Sequence, residues 1–286
     1  MRSDIIISVD ELLNTFKSPN LKILEATFFL PNQGRNAAAE FTDKHISGAQ
    51  FFDIDSVADT SVDLPHMLPS PEQFSVQMQE LGINTESDII VYDRSPFLSS
   101  ARCWWMFRLF GHKKIRVLNG GFAAWIAANG AVETGNAANA KKGNFITSGA
   151  KGAGHIIFSE LFDEINAKNA KQIIDARPSP RFTGDTPEPR PGLASGHMPG
   201  ACNLPITQIL HNDGTLKSNA ELSKLFEDAG IDLSKPVITT CGSGVTAAGL
   251  TLALAMLGSE DVRLYDGSWA EWGSHPDAPI EKGHAN

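Results

Sequence analysis

One short stretch of the chain holds a strand, a glycine-rich loop and a helix in direct succession: Pro236-Val237-Ile238-Thr239-Thr240-Cys241-Gly242-Ser243-Gly244-Val245-Thr246-Ala247-Ala248. The run that ends at Thr240 is apolar and β-branched, which predicts a buried parallel strand. The residues from Val245 to Leu257 are mainly Ala and Leu, which predicts a helix. The order of these elements favours an α/β fold.

Cys241 lies between the end of this strand and the start of this helix. Backbone N–H groups at a helix start lack intrahelical partners and favour an anion, so we expect a stabilised thiolate with a lowered pKa. Gly242 and Gly244 let the backbone curl around the sulfur. The pattern predicts a nucleophilic cysteine in an anion-binding loop; the alternative is an ordinary buried cysteine.

Length, charge and cysteine content limit the possible functions. A chain of 286 residues predicts two domains. The net charge of −9 and the pI of about 5.4 argue against nucleic acid or an anionic membrane as a partner. The three cysteines are widely spaced and form neither a disulfide framework nor a metal-binding pattern. With no apolar run of signal-peptide or membrane-spanning length, we expect a cytoplasmic protein.

Six blocks of sequence recur in the same order, about 150 residues apart. They pair Val9–Leu13 with Phe158–Phe162, Ile23–Ala26 with Ile173–Ala176, His45–Ala49 with His197–Ala201, Ile89–Tyr92 with Val237–Thr240, Trp104–Gly111 with the helix end Ala255–Gly258, and Val117–Gly121 with Leu264–Ser268. Such a repeat predicts two copies of one domain.

Within each copy, strands alternate with helical stretches, which indicates a mainly parallel sheet flanked by helices. We therefore predict two tandem α/β domains, at residues 1–135 and 155–286. Residues 136–154 are rich in Gly, Ala, Asn and Lys and are predicted to form a linker. The first copy has Asp93 where the second has Cys241, so it carries no nucleophile there. The active site is expected in the second loop or in a crevice between the copies.

The chain resembles the tandem rhodanese-domain sulfurtransferases over essentially its whole length. The resemblance rests on the two-copy layout and on four blocks: His45–Asp55, Trp104–Arg108, Cys241–Ala247 and Asp266–Trp269. The loop Cys241-Gly242-Ser243-Gly244-Val245-Thr246-Ala247 resembles that of family members that use 3-mercaptopyruvate. Members that use thiosulfate usually carry two basic residues at the positions of Gly242 and Ser243.

The resemblance implies two rhodanese-like domains and a sulfurtransferase in which Cys241 becomes a persulfide. The backbone N–H groups of the loop, at Gly242, Gly244, Val245 and Thr246, would hold the transferred sulfur. The reaction would need no metal and no organic cofactor, because the protein's own sulfur is the carrier. The acceptor would be a thiol such as thioredoxin or a small thiol, or cyanide in an assay.

Two arginines, Arg181 and Arg190, are assigned to substrate binding by the resemblance. Guanidinium groups suit a 2-oxo carboxylate because they donate paired hydrogen bonds. Since the carboxylate of 3-mercaptopyruvate lies away from its sulfur, we expect these cations further from the loop than thiosulfate would require. The alternative is a pair of surface charges, matched with Asp185 or Glu188.

From the first copy, the resemblance adds His66 and Asp55 to the substrate pocket, with Ser243 as part of a proton relay. A histidine can bind a ketone oxygen or a carboxylate and move protons near neutral pH. Asp55 is equally well interpreted as a helix cap or turn residue. His45 and His197 recur in both copies and are therefore predicted to be architectural.

Three other functions remain open from the sequence. The first is a thiosulfate sulfurtransferase, which the uncharged loop disfavours. The second is a cysteine phosphatase or arsenate reductase, which would need an arginine where this chain has Ala247. The third is a non-catalytic rhodanese-like binding module, which would not need Cys241. The remaining cysteines, Cys103 and Cys202, and the Trp104–Phe107 cluster are predicted to be structural.

Overall fold

A computed structural model describes residues 4–148, 154–167 and 171–284. The described residues form two compact units. Unit 1 contains residues 4–59, 68–148 and 211–216; unit 2 contains residues 60–67, 217–284 and the described part of 154–210. Each unit thus takes a short segment from the sequence half that mainly builds the other. No helix among the described residues has the length and apolar character needed to cross a membrane.

Unit 1 contains a five-stranded parallel sheet and a separate antiparallel strand pair. The strands are β1 Ile6–Ile7, β2 Leu21–Glu25, β3 His45–Ile46, β4 Ala49–Phe51, β5 Asp88–Tyr92, β6 Ile115–Leu118 and β7 Val132–Glu133. The helices are α1 Val9–Thr15, α2 Ala37–Asp43, α3 Ile54–Val57, α4 Pro71–Glu80, α5 Ser100–Leu109 and α6 Gly121–Ala127, with a 3₁₀ turn at Pro31–Gln33. The sheet order is β1-β6-β5-β2-β4, and β3 pairs with β7.

Unit 2 repeats the five-stranded parallel sheet. Its strands are β8 His155–Ile156, β9 Gln172–Asp175, β10 Ala201–Asn203, β11 Val237–Thr240 and β12 Val262–Tyr265. Its helices are α7 Phe158–Asn166, α8 Ser179–Thr183, α9 Asn219–Asp228, α10 Val245–Leu257 and α11 Ser268–Trp272, with a 3₁₀ turn at Ile206–Ile209. The sheet order is β8-β12-β11-β9-β10.

The two sheets have the same topology, because β1, β6, β5, β2 and β4 correspond in order to β8, β12, β11, β9 and β10. The predicted architecture, two tandem α/β domains that each contain a mainly parallel sheet flanked by helices, is confirmed. The predicted strand and helix around Cys241 are confirmed as β11 and α10. All four residues of β11 are buried because the strand lies at the centre of its sheet and is covered on both faces.

Part of the predicted linker packs as a component of unit 1. The Phe145 ring is buried and meets the rings of Phe74 and Phe107 with centroids 5.8 and 5.5 Å apart. Close by, the backbone N–H of Gly143 donates to Gln79 O at 2.8 Å. Its composition suggested a linker because few apolar residues occur in it, yet one buried phenylalanine is enough to anchor the segment. Residues 149–153 of the predicted linker lie outside the described residues.

Equivalent histidines support the two copies in the same way. His45 stacks on Phe41 at 3.9 Å and His197 stacks on Phe182 at 3.8 Å between ring centroids. In both cases Nδ1 bonds to the carbonyl of that same phenylalanine, at 2.8 and 2.9 Å. Both rings are buried, so the architectural role predicted for them agrees with their contacts.

Candidate active site

The Cys241 loop is formed by the sharp passage from β11 into α10. Cys241 is only 2% exposed, so its sulfur lies beneath the surface of unit 2. Gly244 precedes the first residue of α10 with φ of 78°, a left-handed conformation that glycine adopts without a Cβ penalty. This glycine allows the chain to turn directly from the strand into the helix, which places the cysteine at the helix N-terminus as the sequence predicted.

Ser268, at the first position of α11, fixes this loop from outside. Its Oγ accepts hydrogen bonds from the N–H groups of Cys241 at 3.3 Å and Gly244 at 3.0 Å, and it donates to Tyr265 O at 2.9 Å. The same oxygen lies 4.0 Å from Cys241 Sγ. One of the N–H groups expected to hold sulfur, that of Gly244, is therefore already bound to a side chain.

Backbone bonds from α11 hold the loop further. Trp269 N–H donates to Cys241 O at 3.0 Å, and Ala270 N–H donates to Gly242 O at 2.9 Å. In unit 1, Phe122 N–H donates to Asp93 O at the same distance of 3.0 Å. The sequence analysis noted Leu264–Ser268 as part of the repeat and Asp266–Trp269 as part of the family resemblance, but it did not assign them this contact. The sequence signal that could have revealed this contact is the recurrence of a similar block after the last strand of the parallel sheet in each copy.

The side chains of Arg181 and Arg190 reach the residue that follows the cysteine. A Cβ atom placed on Gly242 would lie 3.2 Å from Arg181 Nη2 and 3.9 Å from Arg190 Nη1. The expectation that these cations would lie further from the loop was wrong. The guanidinium groups approach the loop because Gly242 has no side chain to keep them away.

A buried carboxylate holds Arg181 in this position. Glu188 Oε1 accepts from Arg181 Nε at 3.2 Å, and Glu188 Oε2 accepts from Arg181 Nη2. The side chain of Glu188 is 1% exposed and that of Arg181 17%, so this is not a surface ion pair. The alternative interpretation of surface charges named Glu188 correctly as a partner, but it was wrong to place the pair at the surface. Its other suggested partner, Asp185, instead accepts from Thr183 Oγ1 at 2.6 Å.

Arg177 extends this network and was missed at the level of sequence. It is fully buried and donates to Asp175 Oδ2 at 2.7 Å, to Glu188 Oε1 at 2.7 Å and to Gly196 O at 2.8 Å. Its guanidinium also stacks 4.2 Å from the ring centroid of Trp269. Since Trp269 also bonds the Cys241 carbonyl, the arginine network and the loop share a supporting residue.

His66 and Ser243 form a hydrogen-bonded pair within unit 2. The distance between His66 Nδ1 and Ser243 Oγ is 2.9 Å, and both residues are buried. His66 has φ of 62°, an unusual conformation for a residue with a side chain. Its segment, residues 60–67, belongs to unit 2 although it precedes most of unit 1 in the sequence.

Asp55 lies in unit 1, in the first turn of α3. The cap of this helix is Asp53, whose Oδ1 accepts from the Asp55 N–H at 3.1 Å, so the interpretation of Asp55 as the cap was wrong. The role of Asp55 in a relay with His66 and Ser243 stays a prediction.

The corresponding position of unit 1 contains a carboxylate instead of a thiol. Asp93 accepts from the N–H groups of Ser95 at 2.8 Å and Ser100 at 2.7 Å, the latter at the start of α5. Burial raises the pKa of Asp93 to about 6, although these hydrogen bonds oppose that shift. Unit 1 thus fills its own anion site with an internal group.

The other two cysteines are in different surroundings. Burial raises the pKa of both Cys103 and Cys202, and neither is bonded to another cysteine. Where a phosphatase would need an arginine, Ala247 is completely buried in α10. Among the described residues, no group of three or more His, Cys, Asp or Glu side chains is arranged to hold a metal ion.

Comparison with known proteins agrees with this geometry. The rhodanese-like domain family matches residues 8–128 and 158–275. A 3-mercaptopyruvate sulfurtransferase of Escherichia coli K12 is 43% identical over 282 residues, covering 98% of this chain and 99% of that protein. A thiosulfate/3-mercaptopyruvate sulfurtransferase of Arabidopsis thaliana mitochondria is 40% identical, covering 98% of this chain and 78% of that protein.

The solved structures show the same relationship. The crystal structure of SseA from Escherichia coli, a 3-mercaptopyruvate sulfotransferase with the rhodanese fold, matches with a TM-score of 0.83 and 40% identity. That match covers 92% of this chain and 98% of SseA. Two family matches, one in each half of the sequence, agree with the repeat seen in the sequence and in the sheet topology. The chain therefore belongs to the tandem rhodanese-domain sulfurtransferases, the family that includes the 3-mercaptopyruvate sulfurtransferases.

Proposed function

We propose that this protein transfers sulfur from 3-mercaptopyruvate to a thiol through a persulfide on Cys241. The observation that carries the proposal is the approach of two guanidinium groups, those of Arg181 and Arg190, to the residue directly after the cysteine. A 2-oxo carboxylate presents adjacent oxygens that two guanidinium groups can bind together. The printed names of the relatives point to the same donor.

The first half-reaction moves one sulfur atom from the donor to the enzyme. The Cys241 thiolate attacks the donor sulfur, an S–S bond forms and the C–S bond of 3-mercaptopyruvate breaks. The electron pair of the broken bond leaves with pyruvate as its enolate, which takes up a proton to become pyruvate. Arg181 and Arg190 bind the carboxylate and ketone oxygens and stabilise the charge that develops on the leaving enolate.

His66 and Ser243 are suited to deliver that proton. Their hydrogen bond links the loop to an imidazole ring, which can both donate and accept a proton. In our proposal His66 also binds the ketone oxygen, and Ser243 passes the proton along. Asp55 completes this relay on the strength of the family resemblance alone.

In the second half-reaction an acceptor removes the outer sulfur. A thiolate attacks the outer sulfur of the Cys241 persulfide, which releases the Cys241 thiolate. The acceptor is a small thiol or a protein thiol such as thioredoxin, and cyanide serves in an assay. The N–H groups of Gly242, Gly244, Val245 and Thr246 were expected to hold the sulfur. Because Gly244 N–H bonds Ser268, we assign this role to the other three.

The proposal places the enzyme in the cytoplasm, where thiols stay reduced. The three cysteines are free, and a reduced Cys241 is what the reaction requires. Thiosulfate is the disfavoured donor on the family resemblance, because members that use it usually carry basic residues at positions 242 and 243, where this chain has Gly and Ser. A purely binding module is also disfavoured, because it has no use for a cysteine held at a helix start.

Steady-state assays with each donor test the proposal. We expect kcat/KM for 3-mercaptopyruvate to exceed that for thiosulfate, and Cys241→Ser to abolish transfer from both. A serine hydroxyl is nearly isosteric but is a poor nucleophile at neutral pH. Cys202→Ser is the matched control and should keep the wild-type rate. Activity in a folded Cys241→Ser protein, or a preference for thiosulfate, would contradict the proposal.

A further inference from the structure

Glu188 lies between two arginines and carries the only carboxylate that touches Arg181 among the described residues. Its Oε1 accepts a hydrogen bond from Arg177 Nη1 at 2.7 Å. Its two oxygens also accept hydrogen bonds from Nε and Nη2 of Arg181. Prolines flank it on both sides, at positions 187 and 189, which restricts the backbone of the loop that presents it. The carboxylate is thus held rigidly although its loop runs at the surface.

The charges of this cluster cancel. Arg177 is paired with Asp175, and Arg181 is paired with Glu188, so two cations face two anions. Arg190 makes no ion pair with any described residue, yet its Nη1 lies 3.9 Å from the Cβ position of Gly242. Among the arginine and carboxylate side chains of this cluster, one positive charge is therefore uncompensated.

The hydrogen bonds of Arg181 also limit what it offers to a substrate. Its Nε and one hydrogen of Nη2 point at Glu188, which leaves Nη1 and the second Nη2 hydrogen for a ligand. Glu188 thereby fixes which edge of the guanidinium faces Gly242. Arg181 then acts mainly through directed hydrogen bonds, while Arg190 supplies the net charge.

We propose that Glu188 is a positioning residue that sets donor specificity. By cancelling the charge of Arg181, it favours a donor with a single carboxylate charge over a dianionic donor. 3-Mercaptopyruvate carries one carboxylate charge, whereas thiosulfate carries two negative charges. Each net cation in the pocket stabilises a dianion about twice as strongly as a monoanion, so cancelling one cation weakens thiosulfate binding more than 3-mercaptopyruvate binding. This inference rests on the proposed function, because it explains how the same site chooses its donor.

The test compares Glu188→Gln with Glu188→Asp. Glutamine keeps the shape but removes the charge, so the ratio of kcat/KM for thiosulfate to kcat/KM for 3-mercaptopyruvate should rise about tenfold. Aspartate keeps the charge and should leave that ratio near the wild-type value. The ratio is the useful readout because a reduced amount of folded enzyme lowers both rates equally.

Glu164→Gln is the matched control. It removes a carboxylate from another arginine of unit 2, Arg263, which it contacts at 2.9 Å. Its donor ratio should stay at the wild-type value. If Glu188→Gln does not fold, Arg190→Gln replaces it: removal of the unpaired cation should lower thiosulfate use about tenfold more than 3-mercaptopyruvate use.

Three results would overturn the inference: an unchanged ratio in folded Glu188→Gln, an equal shift in Glu188→Gln and Glu188→Asp, or equal losses for both donors in Arg190→Gln. The second would mean that Glu188 supports the loop by its shape rather than by its charge. Failure of the proposed function is a separate result, since the wild-type enzyme would then not release pyruvate from 3-mercaptopyruvate at all.

Discussion

Gly242→Ala tests whether the space beside the cysteine matters for donor binding. The substitution adds one methyl group and no charge, and the backbone of Gly242 is not in the left-handed region. Its Cβ would lie 3.2 Å from Arg181 Nη2, a few tenths of an ångström closer than an ordinary contact. Since Glu188 bonds both Nε and Nη2 of Arg181, the guanidinium moves only by straining that ion pair.

The expected cost follows from the bonds that are disturbed. A hydrogen bond between charged groups contributes about 1.5–3 kcal/mol, and partial loss of one corresponds to about 1–2 kcal/mol. Converted to a rate, this lowers kcat/KM for 3-mercaptopyruvate by roughly 5- to 30-fold. Replacing Gly242 by a basic residue would be more damaging than the sequence alone suggests, because its side chain would compete with Arg181 for the same volume.

The assay is single-turnover formation of the persulfide, followed by pyruvate release. Gly242→Ala should slow this step and leave transfer from a preformed persulfide to a small neutral thiol near the wild-type rate. Gly242→Ala combined with Arg181→Lys is the control, since lysine has no planar fork to meet the methyl group. In that background the added methyl should have little further effect. Wild-type kinetics for Gly242→Ala would refute the reasoning.

Three further predictions follow from the contacts around the two strand ends. Arg181→Ala and Arg190→Ala should each cost about 2–5 kcal/mol of transition-state stabilisation, which lowers kcat/KM for 3-mercaptopyruvate roughly 30-fold or more. Persulfide transfer to a neutral acceptor should be spared, and equal losses in both half-reactions would contradict this. Ser268→Ala should remove the hydroxyl that accepts from the N–H groups of Cys241 and Gly244 and lower the free energy of unfolding by about 1–3 kcal/mol, measured by denaturant unfolding; an unchanged midpoint would argue against it. Asp93 has a folded pKa of about 6 against about 3.9 when unfolded, so the folded protein binds a proton first as the pH falls from 6 to 4 and gains about 2–3 kcal/mol of stability from this group. Asp93→Asn should remove that gain, which the pH dependence of the free energy of unfolding will reveal, and an unaltered profile would disprove it.

Much of the fold was predictable because the signals are local and repeated. The apolar run to Thr240 and the Ala- and Leu-rich segment from Val245 determine a buried strand and a helix through their own composition. The paired blocks then extend that unit to both halves of the chain. The position of Cys241 at the helix start follows directly from these elements.

The supports of the site were less predictable because they depend on distant segments. Ser268 bonds the loop across 27 and 24 residues of sequence, a contact that no spacing rule reveals. Glu188 was named as a partner of Arg181, but its burial depends on Arg177 and on the folded loop. The assignment of residues 60–67 to unit 2 is likewise a tertiary result, and with it comes the pairing of His66 with Ser243.

The central claim is that Cys241 carries the transferred sulfur, and intact-mass analysis tests it most directly. The protein is mixed with 3-mercaptopyruvate in the absence of an acceptor, and its mass is measured before and after the reaction. We predict a gain of one sulfur atom, located on Cys241 by peptide mapping and absent from Cys241→Ser. Pyruvate release without added sulfur on the protein, or added sulfur on Cys103 or Cys202 instead, would contradict the account.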